Sequence, residues 1–395
     1  MVEQKLRILM LAPTPYFADR GCHVRIYEEA RTLIARGHEV RIVAYHLGRD
    51  MPGVPTHRTV RVPWYTKLAA GPSWHKPYLD ILLFFSALRV ARTFRPHLIH
   101  AHLHEGAFIG AFLKKFLGAP LLFDCQGSLT GELADHGFAR EGSLLSRVFG
   151  LFEGWINRAA DAIITSSGAG RDDLTGRWGV PAGKVAALID GVDTAVFRPF
   201  PRDEVRRRLR LPEDRLLVVF LGVLNRYQGI DALLSAAVIL KSHGSPVRFL
   251  VMGFPEEGYR QKARELGVDD TITFTGRIDY AKAAAWLSAG DIAVSPKVSL
   301  TEANGKLFNY MACGLPTIAF DTPINREILG DTGIYARFGD AGDLAAQIAA
   351  LAADPERRAA LSGLVREKAE REHSWRARGE ELVRIYARAL RGRRS

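Results

Sequence analysis

The chain reads as an α/β protein made of two parallel-sheet halves, and three observations predict this. Short apolar runs alternate with segments of helical period along most of its length. Two strand–helix–strand series start afresh, one at Arg7-Ile-Leu-Met-Leu11 and one at Leu216-Leu-Val-Val-Phe-Leu221. A parallel pair needs a crossover connection, so each series implies its own sheet. Between them, Asp190-Gly-Val-Asp193 and Pro199 interrupt both periods, which marks a domain boundary. At 395 residues the chain is also long enough for two or more hydrophobic cores.

In the first series, Ala12 to Gly21 forms a loop, Cys22 to Arg36 an amphipathic helix, and Val40 to Tyr45 the second strand. No G-x-G-x-x-G follows the first strand, so the dinucleotide fingerprint is missing. Gly21 either lets a backbone N–H approach a phosphate or makes a tight turn. Residues 46–78 are irregular and rich in Pro, Trp, Tyr and basic groups. In the helix from Tyr78 to Phe94, Ile81 and its apolar neighbours are expected in the core, with Arg89, Arg92 and Arg95 solvated. Basic groups beside aromatics make the preceding loop an expected membrane or substrate contact. The strand Leu98 to Ala101 runs into His102-Leu-His104-Glu105-Gly106. Alternation brings His100, His102 and His104 to one side only if the strand continues, so these residues are read as lining a cleft and no metal is expected. The strand Pro120 to Asp124 is followed by Cys125-Gln126-Gly127-Ser128, with Asp124 and Gln126 on one side. A polar, glycine-bounded segment containing Glu132 and His136 follows and is expected to be mobile.

In the second series, Gly222 to Gly229 is the loop after the first strand and contains Arg226 and Gln228. Val247 to Met252 and Ile272 to Phe274 are further strands, the latter leading to Gly276-Arg277. The densest stretch is Val294 to Asp321, VSPKVSLTEANGKLFNYMACGLPTIAFD: a strand end, a polar loop, a short helix from about Gly305 to Cys313, and another strand. Ligands of open parallel sheets sit off the carboxyl ends of the strands, which is where Glu302, Asn304, Gly305 and Lys306 fall. Helix-start N–H groups and Lys306 suit an anion; the plain alternative is a solvated loop with a surface lysine.

Lys plus Arg number 54 against 43 Asp plus Glu, giving +11 and a pI near 9.7. Such an excess suits phosphorylated substrates, an anionic membrane or nucleic acid. No nucleic-acid motif is present, so no nucleic-acid partner is expected. Cys22, Cys125 and Cys313 form neither a disulfide framework nor a ligand cluster, which suits a reducing cytoplasm. Met1 to Lys5 lacks the form of a signal peptide, and Leu79 to Ala91 is too short and too polar to span a bilayer. The expected location is cytoplasmic, with the inner face of the membrane as a further site.

Lys306-Leu-Phe-Asn-Tyr-Met-Ala-Cys-Gly-Leu-Pro316 resembles the signature of glycosyltransferase family 4, retaining enzymes of the GT-B fold. Asp161-Ala-Ile-Ile-Thr-Ser-Ser167, Asp190-Gly-Val-Asp193 and Trp375 resemble further family landmarks in the family order. The resemblance implies two Rossmann-like domains facing a cleft: 1–195 for the acceptor, 196–374 for the nucleotide sugar, and a basic helix 375–395 returning to the first domain. It implies hexosyl transfer from a nucleotide-diphosphate sugar to a glycan or lipid-linked acceptor, with no cofactor and no metal. Carried over by position, Glu302, Gln126 and Asp124 fall at the reacting sugar. Gly21, Arg226, Gln228, Gly276, Arg277, Asn304, Gly305, Lys306, Leu307 and Asn309 fall at the donor, and His104, Glu105, Glu132 and His136 near the acceptor. Several letters depart from the pattern. Val223 and Gln228 stand where the family has the Arg and Lys that hold the diphosphate, Gln126 replaces a histidine, Asn309 a glutamate, and Glu302 comes one residue late. Arg226, with Lys306, is read as the replacement charge or as a surface cation. A GT-B scaffold without catalysis and a sugar-nucleotide epimerase stay open beside the transferase.

Overall fold

A computed structural model describes residues 5–18, 21–68, 73–130, 143–299 and 304–392. They form two compact units, one running to Ile189 and resuming at Trp375, the other running from Asp190 to Ser374.

The first unit is built on β1 (Arg7–Ala12), α1 (Gly21–Ala35), β2 (Glu39–Ala44), β3 (Thr56–Arg58), α2 (Lys76–Phe94), β4 (Leu98–His102), α3 (Leu103–Leu117), β5 (Leu121–Cys125), α4 (Leu144–Ala159), β6 (Ala162–Thr165), α5 (Gly168–Gly176) and β7 (Val185–Ala187). Its seven described strands are all parallel, in the order β3-β2-β1-β4-β5-β6-β7. Helices cover such a sheet, so its central strands read as unbroken apolar runs: β5 is buried throughout, as is β1 after Arg7. The strand order reverses direction between β1 and β4.

The second unit holds α6 (Arg202–Leu209), β8 (Leu217–Leu221), α7 (Ile230–Ser242), β9 (Arg248–Met252), α8 (Glu257–Glu265), β10 (Ile272–Gly276), α9 (Tyr280–Leu287), β11 (Ile292–Ser295), α10 (Lys306–Ala312), β12 (Thr317–Phe320), α11 (Pro323–Leu329), β13 (Ile334–Ala336), α12 (Ala341–Ala353) and α13 (Pro355–Glu372). Its six described strands are again parallel, in the order β10-β9-β8-β11-β12-β13, with the reversal between β8 and β11. Strand ends are anchored by buried polar groups. Asp291 accepts from Leu217 N at 2.7 Å and from Arg206 Nη2 at 2.6 Å, which fixes the start of β8 beside that of β11.

The last helix, α14 (Trp375–Arg391), belongs to the first unit and packs on α1. Its apolar stripe of Trp375, Leu382, Val383, Ile385 and Tyr386 is buried, while most of its arginines face outward. Arg36 Nη2 meets Glu380 at 2.9 Å across the two helices. The closest approach is at Gly379, where a Cβ would lie 2.2 Å from Thr32 Cγ2. Ile81, expected in the core, is 58% exposed, and Phe85 on the next turn is 61% exposed. Leu79, Leu83, Ala87 and Val90 form the buried stripe of α2 instead, because that face meets β1 and β2. Among the described residues no helix is long and apolar enough to cross a membrane.

The contact at Gly379 gives a test of the α1–α14 packing. Gly379→Val should lower stability by about 1–3 kcal/mol, the usual cost of overpacking, read as a fall in midpoint in urea unfolding.

Candidate functional site

The loops that follow β8 and β11 lie at the reversal point of the second sheet and are tied together by glycines. Gly222, with φ of +150°, leaves β8 and donates its N–H to Met252 O at 2.9 Å. Gly253 then passes so close that a Cβ there would sit 1.9 Å from Gly222 O. Asn225 Oδ1 accepts from Gln228 N at 3.0 Å and caps the short turn Arg226–Gln228. Gly229, with φ of +80°, has no room for a side chain, since a Cβ would lie 1.8 Å from Pro296 O. Val298 N donates to Tyr227 O at 2.9 Å, completing the clasp between the two loops.

Lys306 is carried into this clasp as the first residue of α10. Tyr310, one turn on, fixes the helix against both strands: its hydroxyl accepts from Leu221 N at 2.8 Å and donates to Val294 O at 3.4 Å. Lys306 Nζ donates to Gln228 Oε1 at 2.6 Å and lies 4.1 Å from the centroid of the Phe220 ring. The bare Cα of Gly222 leaves the space the amine occupies, for a Cβ there would be 3.0 Å from Nζ. Burial, and secondarily the charge of Lys297, push this amine well below the ordinary lysine pKa. Among the described residues, the amine is therefore met by a ring face and a neutral amide oxygen.

Around it the other expected donor residues take different places. Arg226 is exposed on the same loop, and Asn309 is partly exposed on α10. Gly276, with φ of +72°, ends β10, and the Arg277 guanidinium stacks 4.0 Å from the Phe254 ring centroid. Asn304 is buried and pins the loop: Nδ2 donates to Ser295 Oγ at 2.9 Å and to Asn325 Oδ1 at 2.8 Å. Gly305 precedes α10, and Leu307 is buried, with its N–H turned back to Asn304 O at 3.0 Å. Glu302, Glu132 and His136 lie outside the described residues.

In the first unit the ends of β4 and β5 hold a buried charge network. The Arg25 Nε is 3.1 and 3.0 Å from the two oxygens of Asp124, and its Nη2 is 2.9 Å from Oδ1. Glu29, one turn along α1, pairs with the same guanidinium at 3.1 Å. Asp124 also bonds His102 Nδ1 at 2.9 Å and accepts from Gln126 Nε2 at 2.8 Å. Burial alone would raise the Asp124 pKa, but Arg25 and then His102 hold it below the usual carboxylate range. Burial lowers His100 and His102, which stack with ring centroids 4.3 Å apart. His100 Nδ1 meets the Tyr386 hydroxyl of α14 at 2.7 Å. Glu29, His100, His102 and Asp124 offer ligand atoms within 4.8 Å of one another, and the Arg25 guanidinium reaches both carboxylates of that group.

His104 departs from its two neighbours because the strand stops at His102 and Leu103 turns with φ of +60°. It is buried, with Nε2 3.6 Å from Glu153 Oε1, while Glu105 pairs with Lys76. Gly21 opens α1, and its Cα side is clear of other atoms within 4 Å. Sequence reasoning did not single out Arg25, Glu29, Glu153, Phe220 or Tyr386. The available signal for Arg25 and Glu29 was their place beside Ile26 and Ala30, on the edge of the apolar stripe of α1.

Two parallel α/β units, each with a strand reversal, have the GT-B fold. Residues 20–191 match the glycosyl transferase 4-like domain and residues 215–354 match glycosyl transferases group 1, and the chain belongs to glycosyltransferase family 4. D-inositol 3-phosphate glycosyltransferase from Thermomonospora curvata is 28% identical over 93% of this chain and 90% of its own length. The protein of that name from Thermobispora bispora is 29% identical over 94% and 90%. Among solved structures, sucrose-phosphate synthase from Thermosynechococcus elongatus superposes with a TM-score of 0.83 at 21% identity, over 98% of this chain and 100% of that one. Anabaena HepE in complex with UDP and glucose gives 0.78 at 16%, over 97% and 100%.

Two outcomes check this geometry. Gly229→Ala should disorder the clasp and lower stability by about 1–3 kcal/mol, since neither the positive φ nor the backbone contact can relax cheaply; the midpoint of urea unfolding reads it. For His104, burial opposes protonation, but the nearby Cys125 and Glu153 outweigh it and raise the pKa from 6.5 to about 10. A raised folded-state pKa stabilises fully below the unfolded value of 6.5 and is lost as pH rises through about 10. His104→Gln should therefore cost most stability near pH 6 and progressively less towards pH 10, as denaturant titrations at the two ends will show.

Proposed function

We propose that this glycosyltransferase moves a hexosyl unit, with retained anomeric configuration, from a nucleotide-diphosphate sugar to a glycan or lipid-linked acceptor. The observation that carries this reading is the Lys306 amine held at Gln228. Gln228 stands where the family pattern has a cation, and Lys306 brings a cation to that place from another loop. A half-compensated amine is what a departing diphosphate requires, because the leaving oxygens gain charge as the C1–O bond breaks. Arg226, exposed on the same loop, adds a second positive charge in this reading.

The rest of the mechanism uses the chain's own polar groups. The bond from C1 to the diphosphate oxygen breaks, a bond from C1 to the acceptor oxygen forms on the same face, and the acceptor proton passes to the departing phosphate. No side-chain nucleophile, metal or cofactor takes part in that sequence. Gln126, oriented by Asp124, bonds the donor sugar, Asn309 bonds the ribose, and the backbone at Gly276 and Arg277 meets the base. Glu302 is assigned to the sugar hydroxyls. Gly21, at the start of the fifteen-residue helix α1, offers an N–H to phosphate. The UDP-containing complexes of Anabaena HepE support a nucleotide-sugar donor, and the basic balance of +11 agrees with it; the relatives named for D-inositol 3-phosphate agree with a glycosyl transfer that involves a phosphorylated molecule. The reading also places the protein at the cytoplasmic surface of an anionic membrane, where a lipid-linked acceptor is presented.

The test is Lys306→Met. It should weaken nucleotide-sugar binding by tenfold to a hundredfold, corresponding to about 1.5–3 kcal/mol for a charge-assisted hydrogen bond. The same change should raise the melting temperature of the free protein, because no amine then has to be desolvated. Unchanged affinity removes Lys306 from the donor site, and a product of inverted configuration overturns the retaining mechanism.

A further inference from the structure

Three helices of the first unit, lying side by side, turn apolar side chains to solvent. On α4 the exposed residues Leu144, Val148, Leu151 and Trp155 recur at the spacing of one helical stripe, and Leu144 and Leu151 are 79% and 74% exposed. The opposite face of α4, which includes Glu153, Asn157 and Ile156, is buried. This is the reverse of an ordinary surface helix. Phe112 and Phe116 continue the surface on α3, and Ile81 and Phe85 continue it on α2. Ring contacts make it continuous: Phe84 meets Phe85 at 5.4 Å and Phe116 at 6.2 Å, and Phe112 meets Trp155 at 5.9 Å.

Among the described residues, the charges on this face have one sign. Arg89, Arg92, Lys115, Arg147 and Arg158 are exposed on the three helices. Their carboxylates are engaged elsewhere: Asp80 accepts from the Tyr45 hydroxyl at 2.5 Å, Glu105 pairs with Lys76, and Glu153 is buried beside His104. Contiguous exposed apolar surface of this kind marks an interaction site. A second copy of the chain is a poor occupant, because a two-fold interface would set cations against cations. An anionic bilayer satisfies both features, taking the leucine and aromatic side chains at the headgroup boundary and the cations at the phosphates.

We propose that the α2–α3–α4 face is the surface by which this protein docks on an anionic lipid bilayer. This rests on the membrane reading above and assigns its main contact to these helices in place of the 46–78 loop. The full chain should float with vesicles of phosphatidylcholine and phosphatidylglycerol, less so in high salt, and fail to float with phosphatidylcholine alone. Leu151→Glu with Phe116→Glu should abolish flotation, and Arg147→Glu with Arg158→Glu should lower vesicle partition by roughly fivefold or more for each cation removed. Nucleoside diphosphate affinity in solution should stay unchanged in all these variants, which shows that they fold and separates this proposal from the donor-site reading. Absence of flotation overturns the proposal. So do flotation that survives the Leu151 and Phe116 changes, and a dimer of the wild type that these changes dissociate.

Discussion

The second unit depends on one poorly solvated amine. Among the described residues, Lys306 has a ring face on one side and a neutral carboxamide on another, and burial disfavours its positive charge. Everything nearby serves that placement. Tyr310 fixes the helix that carries the lysine, Gly222 leaves space for the amine, and Gly229 and Gly253 let two loops approach to backbone contact. In the proposed function, an arrangement that disfavours a charge when empty, and favours it when an anion arrives, spends binding energy on the leaving group rather than on the resting state.

The first unit solves the opposite problem. Arg25, Asp124, Glu29 and two neutral histidines are almost wholly out of water, yet each charge is met by another. Breaking such a pair costs about 3–5 kcal/mol, because it strands the partner charge in the interior. The network links α1, β4, β5 and, through Tyr386, the returning helix α14. It thereby holds the carboxamide of Gln126 at the end of β5 in a fixed orientation.

Much of this was legible in the sequence, for reasons that can be named. Parallel strands buried on both faces leave unbroken apolar runs, so β1, β5, β8 and β11 were readable, and the break at Asp190 to Pro199 separated the two series. The loops carrying Gln228 and Lys306 were placed at strand ends by the same logic. That the two side chains meet was not readable, since 78 positions separate them and only the sheet order brings β8 beside β11. Arg25 and Glu29 have the spacing of an exposed helical ion pair, and only Asp124 from a distant strand reveals them as interior. Ile81 shows the complementary limit: an apolar period predicts a helix but does not say which stripe meets the sheet, and here the stripe of Leu79 and Leu83 does.

The central claim is that an arriving diphosphate meets Lys306 and favours its charged form, which burial disfavours. Calorimetric titration of a nucleoside diphosphate, in buffers of differing ionisation enthalpy at several pH values above neutral, measures it directly. The proposed function predicts net proton uptake on binding and an affinity that falls as pH rises, because the anion would raise a lysine pKa that burial has lowered. Binding with no proton uptake, and with affinity flat across the same range, would contradict the account.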